Sequence, residues 1–141
     1  MANGKRLTFI GGGNMAEALL RGILAVKRLA PEQVIATDVR ADRLAYLRDT
    51  YGIETSGSNA EAAAQADTVL LAVKPQVMTG VLDDLRRVIT ERQLVISIVA
   101  ARARTWPAIA RAQARIRLKS RQSPASPALA MICRSNPPSS G

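Results

Sequence analysis

The chain contains no histidine. This removes Ser-His-Asp and Cys-His nucleophilic catalysis, and with them every metal site that needs an imidazole. The single cysteine, Cys133, can form neither an internal disulfide nor a thiolate-rich metal site. Such sparse cysteine fits a reducing compartment, and the cytoplasm is the expected location. Aromatics are scarce, with one Phe, one Trp and two Tyr, so a core has to be built from Leu, Ile, Val and Ala. Long apolar runs are missing too. Behind the charged Lys5 and Arg6, only Leu7-Thr8-Phe9-Ile10 precedes a group of glycines. That is too short for a signal peptide or a membrane span, so a soluble protein with no membrane partner is expected.

Negative charge is absent from one region. Residues 101–141 carry eight basic residues and no acidic one, whereas residues 1–100 balance 12 Lys/Arg against 11 Asp/Glu. The formal net charge of +9 is therefore concentrated in the C-terminal segment. Two regions are expected: a folded domain over 1–100 and a basic, largely disordered tail over 101–141.

What is present is a dinucleotide-type fingerprint in its proper context. The run Leu7-Thr8-Phe9-Ile10-Gly11-Gly12-Gly13-Asn14-Met15-Ala16 reads as a short strand, a Gly-x-Gly-x-x-Ala turn and the start of a helix. Gly11 makes the tight turn, Gly13 leaves room for a pyrophosphate beside the backbone, and Ala16 lets the helix pack close to the strand. The helix N-terminus offers unpaired N–H groups to the phosphates. The other reading is a flexible turn whose glycines serve conformation alone.

Periodicity extends the pattern. Strands are expected at 7–11, 34–37, 53–55, 68–73 and 94–99, and helices at 14–27, 41–51, 59–66 and 76–89. Gly52 is the expected C-cap of the second helix, and Ser58 or Asn59 the N-cap of the third. Val77, Val81, Leu85 and Val88 are the expected apolar face of the fourth. Alternating strands and helices imply right-handed crossovers and an α/β, Rossmann-like parallel sheet of order 3-2-1-4-5 with helices on both faces. A nucleotide would lie across the carboxyl ends of the strands, at the switch point between the first and fourth.

Two further places carry chemistry. Asp38, at the end of the second strand, can accept hydrogen bonds from adenosine ribose hydroxyls, which favours NAD. Arg40 and Arg43 can pair with a 2′-phosphate, which favours NADP. Asp38 also reads as a turn or cap residue, and each arginine as a solvated surface charge. Ala72-Val73-Lys74-Pro75-Gln76 leaves the fourth strand: Pro75 forces an exit loop, Ala72 is small enough to lie against a cofactor, and Lys74 can reach a ribose or phosphate. A turn with a surface lysine explains the same residues.

Four segments together carry a resemblance: Phe9 to Leu19, Ser58-Asn59, Leu71 to Gln76, and Val95-Ile96-Ser97-Ile98-Val99-Ala100. In this order and spacing they resemble the N-terminal domain of pyrroline-5-carboxylate reductase. The resemblance implies an NAD(P)H-dependent oxidoreductase that reduces 1-pyrroline-5-carboxylate to L-proline, the last step of proline biosynthesis. By position, Ile10, Gly11, Gly12, Gly13, Asn14 and Met15 would form the pyrophosphate loop. Thr37 or Asp38 would face the adenosine ribose, Asn59 would lie beside the adenosine half, and Ala72, Val73, Lys74 and Pro75 would pass the nicotinamide side. The cofactor is NADP or NAD; NADP-preferring members tend to carry a smaller polar residue at the position of Asp38.

The resemblance covers residues 5–100 and stops there. Members of the family continue with a Gly, a helix, a strand ending in Met-Pro-Asn-x-Pro, and a helical domain that makes the dimer and supplies hydroxyl groups to the substrate. Only Ser126-Pro127-Ala128-Leu129 echoes that loop, so no catalytic residue is assigned, and the family's dimerisation domain is expected to be absent. The Arg-, Ala-, Ser- and Pro-rich composition after residue 100 is that of GC-rich coding DNA read off frame. The chain is therefore expected to be a truncated reductase with weak cofactor binding and little turnover. The alternative is a non-catalytic nucleotide-binding module whose basic tail binds polyanions in a salt-dependent way. Without interleaved aromatics, that tail shows no sign of specific nucleic-acid readout. A third possibility is another reductase of the same fold.

Overall fold

The computed structural model describes residues 4–90 and 92–98. Expectations for 101–141, the off-frame tail and its alternative as a polyanion-binding extension, lie outside the described residues. No helix of the described residues is long and apolar enough to cross a membrane.

Five short strands form one parallel sheet: β1 (Leu7–Ile10), β2 (Val34–Thr37), β3 (Glu54–Ser56), β4 (Thr68–Leu71) and β5 (Leu94–Ser97). Their order is β3-β2-β1-β4-β5, as the strand–helix alternation predicts. The register aligns Leu7 with both Val34 and Thr68, and Ile10 with both Thr37 and Leu71, so the carboxyl ends of β1, β2 and β4 finish level. Four helices connect them: α1 (Asn14–Ala25), α2 (Ala41–Tyr51), α3 (Asn59–Ala64) and α4 (Met78–Leu85).

Strand alternation sorts the side chains onto two faces. Leu7, Phe9, Val34, Ala36 and Leu70 pack with Ala16, Leu20 and Leu47, beneath α1 and α2. Ile10, Val69, Leu71 and Val95 pack with Ala63, Met78, Val81 and Leu85, beneath α3 and α4. Both faces of the central strands are covered, which is why β1, β2 and β4 read as almost unbroken apolar runs.

The boundaries differ from the periodicity reading at several elements: β1 ends at Ile10 rather than at 11, α3 at Ala64 rather than at 66 and β5 at Ser97 rather than at 99, and four further elements differ as follows. Helix α1 ends at Ala25 rather than at 27, because Lys27 turns into the left-handed region (φ 51°). Strand β4 ends at Leu71 rather than at 73. Its partner β1 is lost where Gly11 turns away at φ 101°. Strand β3 is shifted by one residue, to Glu54–Ser56. The fourth helix is not continuous over 76–89. Pro75–Val77 forms a tighter 3₁₀ turn, and α4 proper starts at Met78. That turn changes the rotational phase, so Met78 faces the core while Val77, expected inside, is exposed. Gly52 caps α2 in the left-handed region, with its N–H bonded to the Arg48 carbonyl at 2.8 Å. Of the two candidate caps for α3, Ser58 is the one used: its hydroxyl accepts from the Glu61 N–H.

Candidate functional site

The level strand ends create a crevice at the switch point between β1 and β4, and the glycine loop occupies it. Gly11 is required there twice over. Its φ of 101° is costly for any L side chain, and a Cβ would stand 2.6 Å from the Ala72 carbonyl oxygen. Gly11 therefore lets the loop pass close against the exit of β4, while its own N–H donates to the Thr37 carbonyl at 3.0 Å. Ala72 N–H bonds to the Ile10 carbonyl at 2.8 Å, closing the other side.

Gly12 ties the loop to β2. Its N–H donates to Asp38 Oδ2 at 3.0 Å, and the Arg40 N–H donates to Asp38 Oδ1 at 2.9 Å. The Asp38 carboxylate is thus fixed by one backbone donor on each oxygen. Each oxygen keeps a lone pair free, because an ionised carboxylate offers about four acceptor positions. Gly13 is different. A Cβ there would meet nothing within 4 Å, so the protein itself does not need a glycine at this position. Gly13 is the N-cap of α1, and no side chain caps that helix. No side chain caps the first-turn amides of α1, and Asn14 and Met15 are exposed, so the helix dipole there favours an anion.

On the β2 side the loop is braced from below. Arg43, in the first turn of α2, donates from Nε to the Gly12 carbonyl at 2.6 Å and from its second nitrogen to Glu17 Oε2 at 2.5 Å. Its guanidinium lies 5.0 Å from the centroid of the Tyr46 ring, within cation–π range. Glu17 also accepts from Tyr51 at 2.6 Å and from Tyr46 at 3.0 Å. These donors, the Tyr51 hydroxyl foremost and then Arg43, hold the Glu17 carboxyl at about 2, well below its ordinary 4.5. The same bond raises the Tyr51 phenol above its ordinary 10.0. Arg40 takes no part in the brace. It is exposed and pairs with Asp42 at 2.7 Å.

The structure therefore brings together Ile10, Gly11, Gly12, Thr37, Asp38 and Ala72 by direct contact. Asn59 joins them through Oδ1, which accepts from the Thr37 hydroxyl at 2.6 Å and ties the start of α3 to the end of β2. Gly13, Asn14 and Met15 are exposed at the mouth. Val73 and Pro75 are half-buried along the β4 exit, and Lys74 is exposed without an ion pair among the described residues. The Glu17–Arg43–Tyr46–Tyr51 brace escaped the sequence reading. Arg43, Tyr46 and Tyr51 lie 26 to 34 residues beyond Glu17, and of them only Arg43 had been weighed as a functional residue, for a different role.

Comparison with known proteins agrees with this geometry. Residues 6–101 match the family described as NADP oxidoreductase coenzyme F420-dependent. The chain belongs to that family. Among relatives of this family member, the pyrroline-5-carboxylate reductase of Synechocystis is 46% identical over 95 residues, covering 67% of this chain and 35% of the relative. A solved pyrroline-5-carboxylate reductase from Coxiella burnetii superposes with a TM-score of 0.70 at 33% identity, over 78% of this chain and 40% of that one. The pyrroline carboxylate reductase of Plasmodium falciparum, solved with NADP bound, gives a TM-score of 0.59 at 27% identity, over 71% and 35% of the two chains. The chain thus spans about a third of the length of the curated relative it matches.

Proposed function

We propose that this chain is the cofactor-holding part of an NAD(P)H-dependent reductase of 1-pyrroline-5-carboxylate, an enzyme that forms L-proline. The observation that carries the proposal is the cradle at Gly13: an open space above an uncapped helix N-terminus, beside a glycine that the fold itself does not demand. Similarity to reductases acting on this imine supplies the substrate class.

The residues present fit a dinucleotide. Gly12, Gly13, Asn14 and Met15 would surround the pyrophosphate with backbone N–H groups and a helix dipole. Asp38, with Thr37 and Asn59 behind it, would accept from ribose hydroxyls. Ala72, Val73, Lys74 and Pro75 would line the nicotinamide side. When bound, the reduced nicotinamide supplies hydride for a C=N carbon; the chain's own work is to bind and orient. No side chain among the described residues is assigned to proton transfer.

The test is titration of the full chain with NADH and NADPH, read by nicotinamide fluorescence, for the parent and for Gly13→Val. The backbone at Gly13 is extended (φ −73°, ψ −173°), which suits valine, and its side chain would enter open space. Gly13→Val should keep its thermal midpoint and lose cofactor binding. Unchanged binding by Gly13→Val would overturn the proposed cradle. Proline formation from 1-pyrroline-5-carboxylate by the same preparation tests the substrate assignment separately.

A further inference from the structure

All but one of the backbone polar groups of Gly12 and Gly13 are bonded within the protein. The Gly12 N–H donates to Asp38, and the Gly12 carbonyl accepts from Arg43 Nε at 2.6 Å. The Gly13 carbonyl accepts from the Glu17 N–H at 3.0 Å. The Gly13 N–H has no acceptor among the described residues. The peptide joining the two glycines is trans, so its carbonyl and its N–H point in opposite directions. Arg43 holds the carbonyl toward α2, and the Gly13 N–H is thereby turned away from α2. Gly12 is buried and Gly13 exposed, in keeping with that orientation.

A peptide between two glycines turns more easily than any other, because neither neighbour has a Cβ to resist. Arg43 is what resists here. Its guanidinium is itself held in place, paired through another nitrogen with Glu17, whose carboxylate also accepts from Tyr46 and Tyr51. Glu17 thus grips the turn twice, by its own N–H on Gly13 and through Arg43 on Gly12. The two side chains are only 19% and 15% exposed, so water competes little for either.

We propose that Arg43 and Glu17 are positioning residues for the cofactor: they lock the Gly12–Gly13 peptide with its N–H presented to the pyrophosphate. This rests on the cofactor reading given above and adds a cause for the direction of that donor. Without the lock the peptide can turn its carbonyl oxygen to the same place, where it would repel the anion that the N–H attracts. The role lies in direction and not in charge, because the Arg43 cation and the Glu17 anion cancel.

Arg43→Lys separates direction from charge. Lysine keeps the cation, but its donors stem from one nitrogen and cannot reproduce the fixed fork that spans two acceptors. Dissociation constants of the full chain for NADH and NADPH are compared for the parent, Arg43→Lys, Glu17→Gln and the double variant, each below the melting transition that circular dichroism locates. Arg43→Lys should weaken both cofactors by about tenfold or more, the effect of misdirecting one hydrogen bond to a charged group. Glu17→Gln should weaken both by a smaller factor. The double variant should match Arg43→Lys, because the Glu17 side chain acts through Arg43. In proton–nitrogen NMR spectra the Gly13 amide, identified by its loss in Gly13→Ala, should move downfield when NADH saturates the parent. Unchanged affinity in Arg43→Lys, even with a lowered melting temperature, makes the brace purely architectural and overturns the proposal. So do additive losses in the double variant, and a Gly13 amide that NADH leaves in place. A loss confined to NADPH would make Arg43 a ligand of the 2′-phosphate and overturns it too. Binding of neither cofactor by the parent overturns the cradle itself, and this role with it. If Arg43→Lys fails to fold, Glu17→Gln and the Gly13 amide still decide.

Discussion

The two sides of the crevice are built on different physics. Toward β2, the glycine loop is held by polar ties: Gly12 to Asp38, Gly11 to Thr37, Thr37 to Asn59, and Arg43 to the Gly12 carbonyl and Glu17. Toward β4, the exit Ala72–Pro75 is shaped by backbone proximity, by Pro75 and by the apolar packing of Leu71, Met78 and Val81 beneath it. A polar lattice fixes direction, because each donor needs its acceptor within a narrow range of angles. Apolar packing fixes distance but is indifferent to rotation. The side that ties down the glycine loop is the directional one.

That contrast can be broken experimentally. The largest effect is expected on the apolar side. Leu71→Ala removes a fully buried side chain and should cost about 2–5 kcal/mol, measured as a shift of the denaturant midpoint. Gly11→Ala joins the two sides, since its methyl group would press on the Ala72 carbonyl while φ stays positive. A loss on the order of 1–3 kcal/mol is expected. Ser58→Ala removes the cap of α3 beneath the Thr37–Asn59 tie and should cost about 1 kcal/mol.

The polar side should reveal itself through pH. The folded-state pKa of Glu17 lies below its ordinary value, so its contribution is present above pH 4.5 and is lost as pH falls from 4.5 toward about 2. Glu17→Gln should flatten that part of the acid-unfolding curve, while Leu71→Ala should shift the curve and leave its slope there unchanged. A Glu17→Gln curve parallel to the parent's would mean that the brace contributes nothing. The smallest effect is expected for Arg40→Ala. Its pair with Asp42 is exposed, and no measurable change in melting temperature is predicted.

The sheet order was legible because each strand is an apolar run of the right length and every connection alternates with a helix. The glycine loop was legible because turn, close approach and helix start leave marks within six neighbouring residues. The phase of α4 was not. Pro75 announces a stop, but nothing in the spacing of Val77, Val81, Leu85 and Val88 shows that a 3₁₀ turn will precede the helix and bring Met78 inward. The brace was hidden for another reason. Glu17 lies at the start of α1, and Tyr46 and Tyr51 lie on α2 with nothing in their spacing that points to a shared partner; only the packing of α1 against α2 brings them to one carboxylate. Arg43 was noticed for its charge, and its charge is spent inside the protein.

The same brace has a use beyond architecture. The chain has two tyrosines, and both hydroxyls end on the Glu17 carboxylate that underpins the glycine loop. Every tyrosine signal in the molecule, whether ring resonance, second-derivative absorbance or phenol ionisation, therefore originates within one hydrogen bond of the same oxygen. With the Tyr51 phenol raised by that contact, an alkaline titration becomes an optical gauge of whether the loop is seated. The protein carries its own reporter group at that place, with no label added.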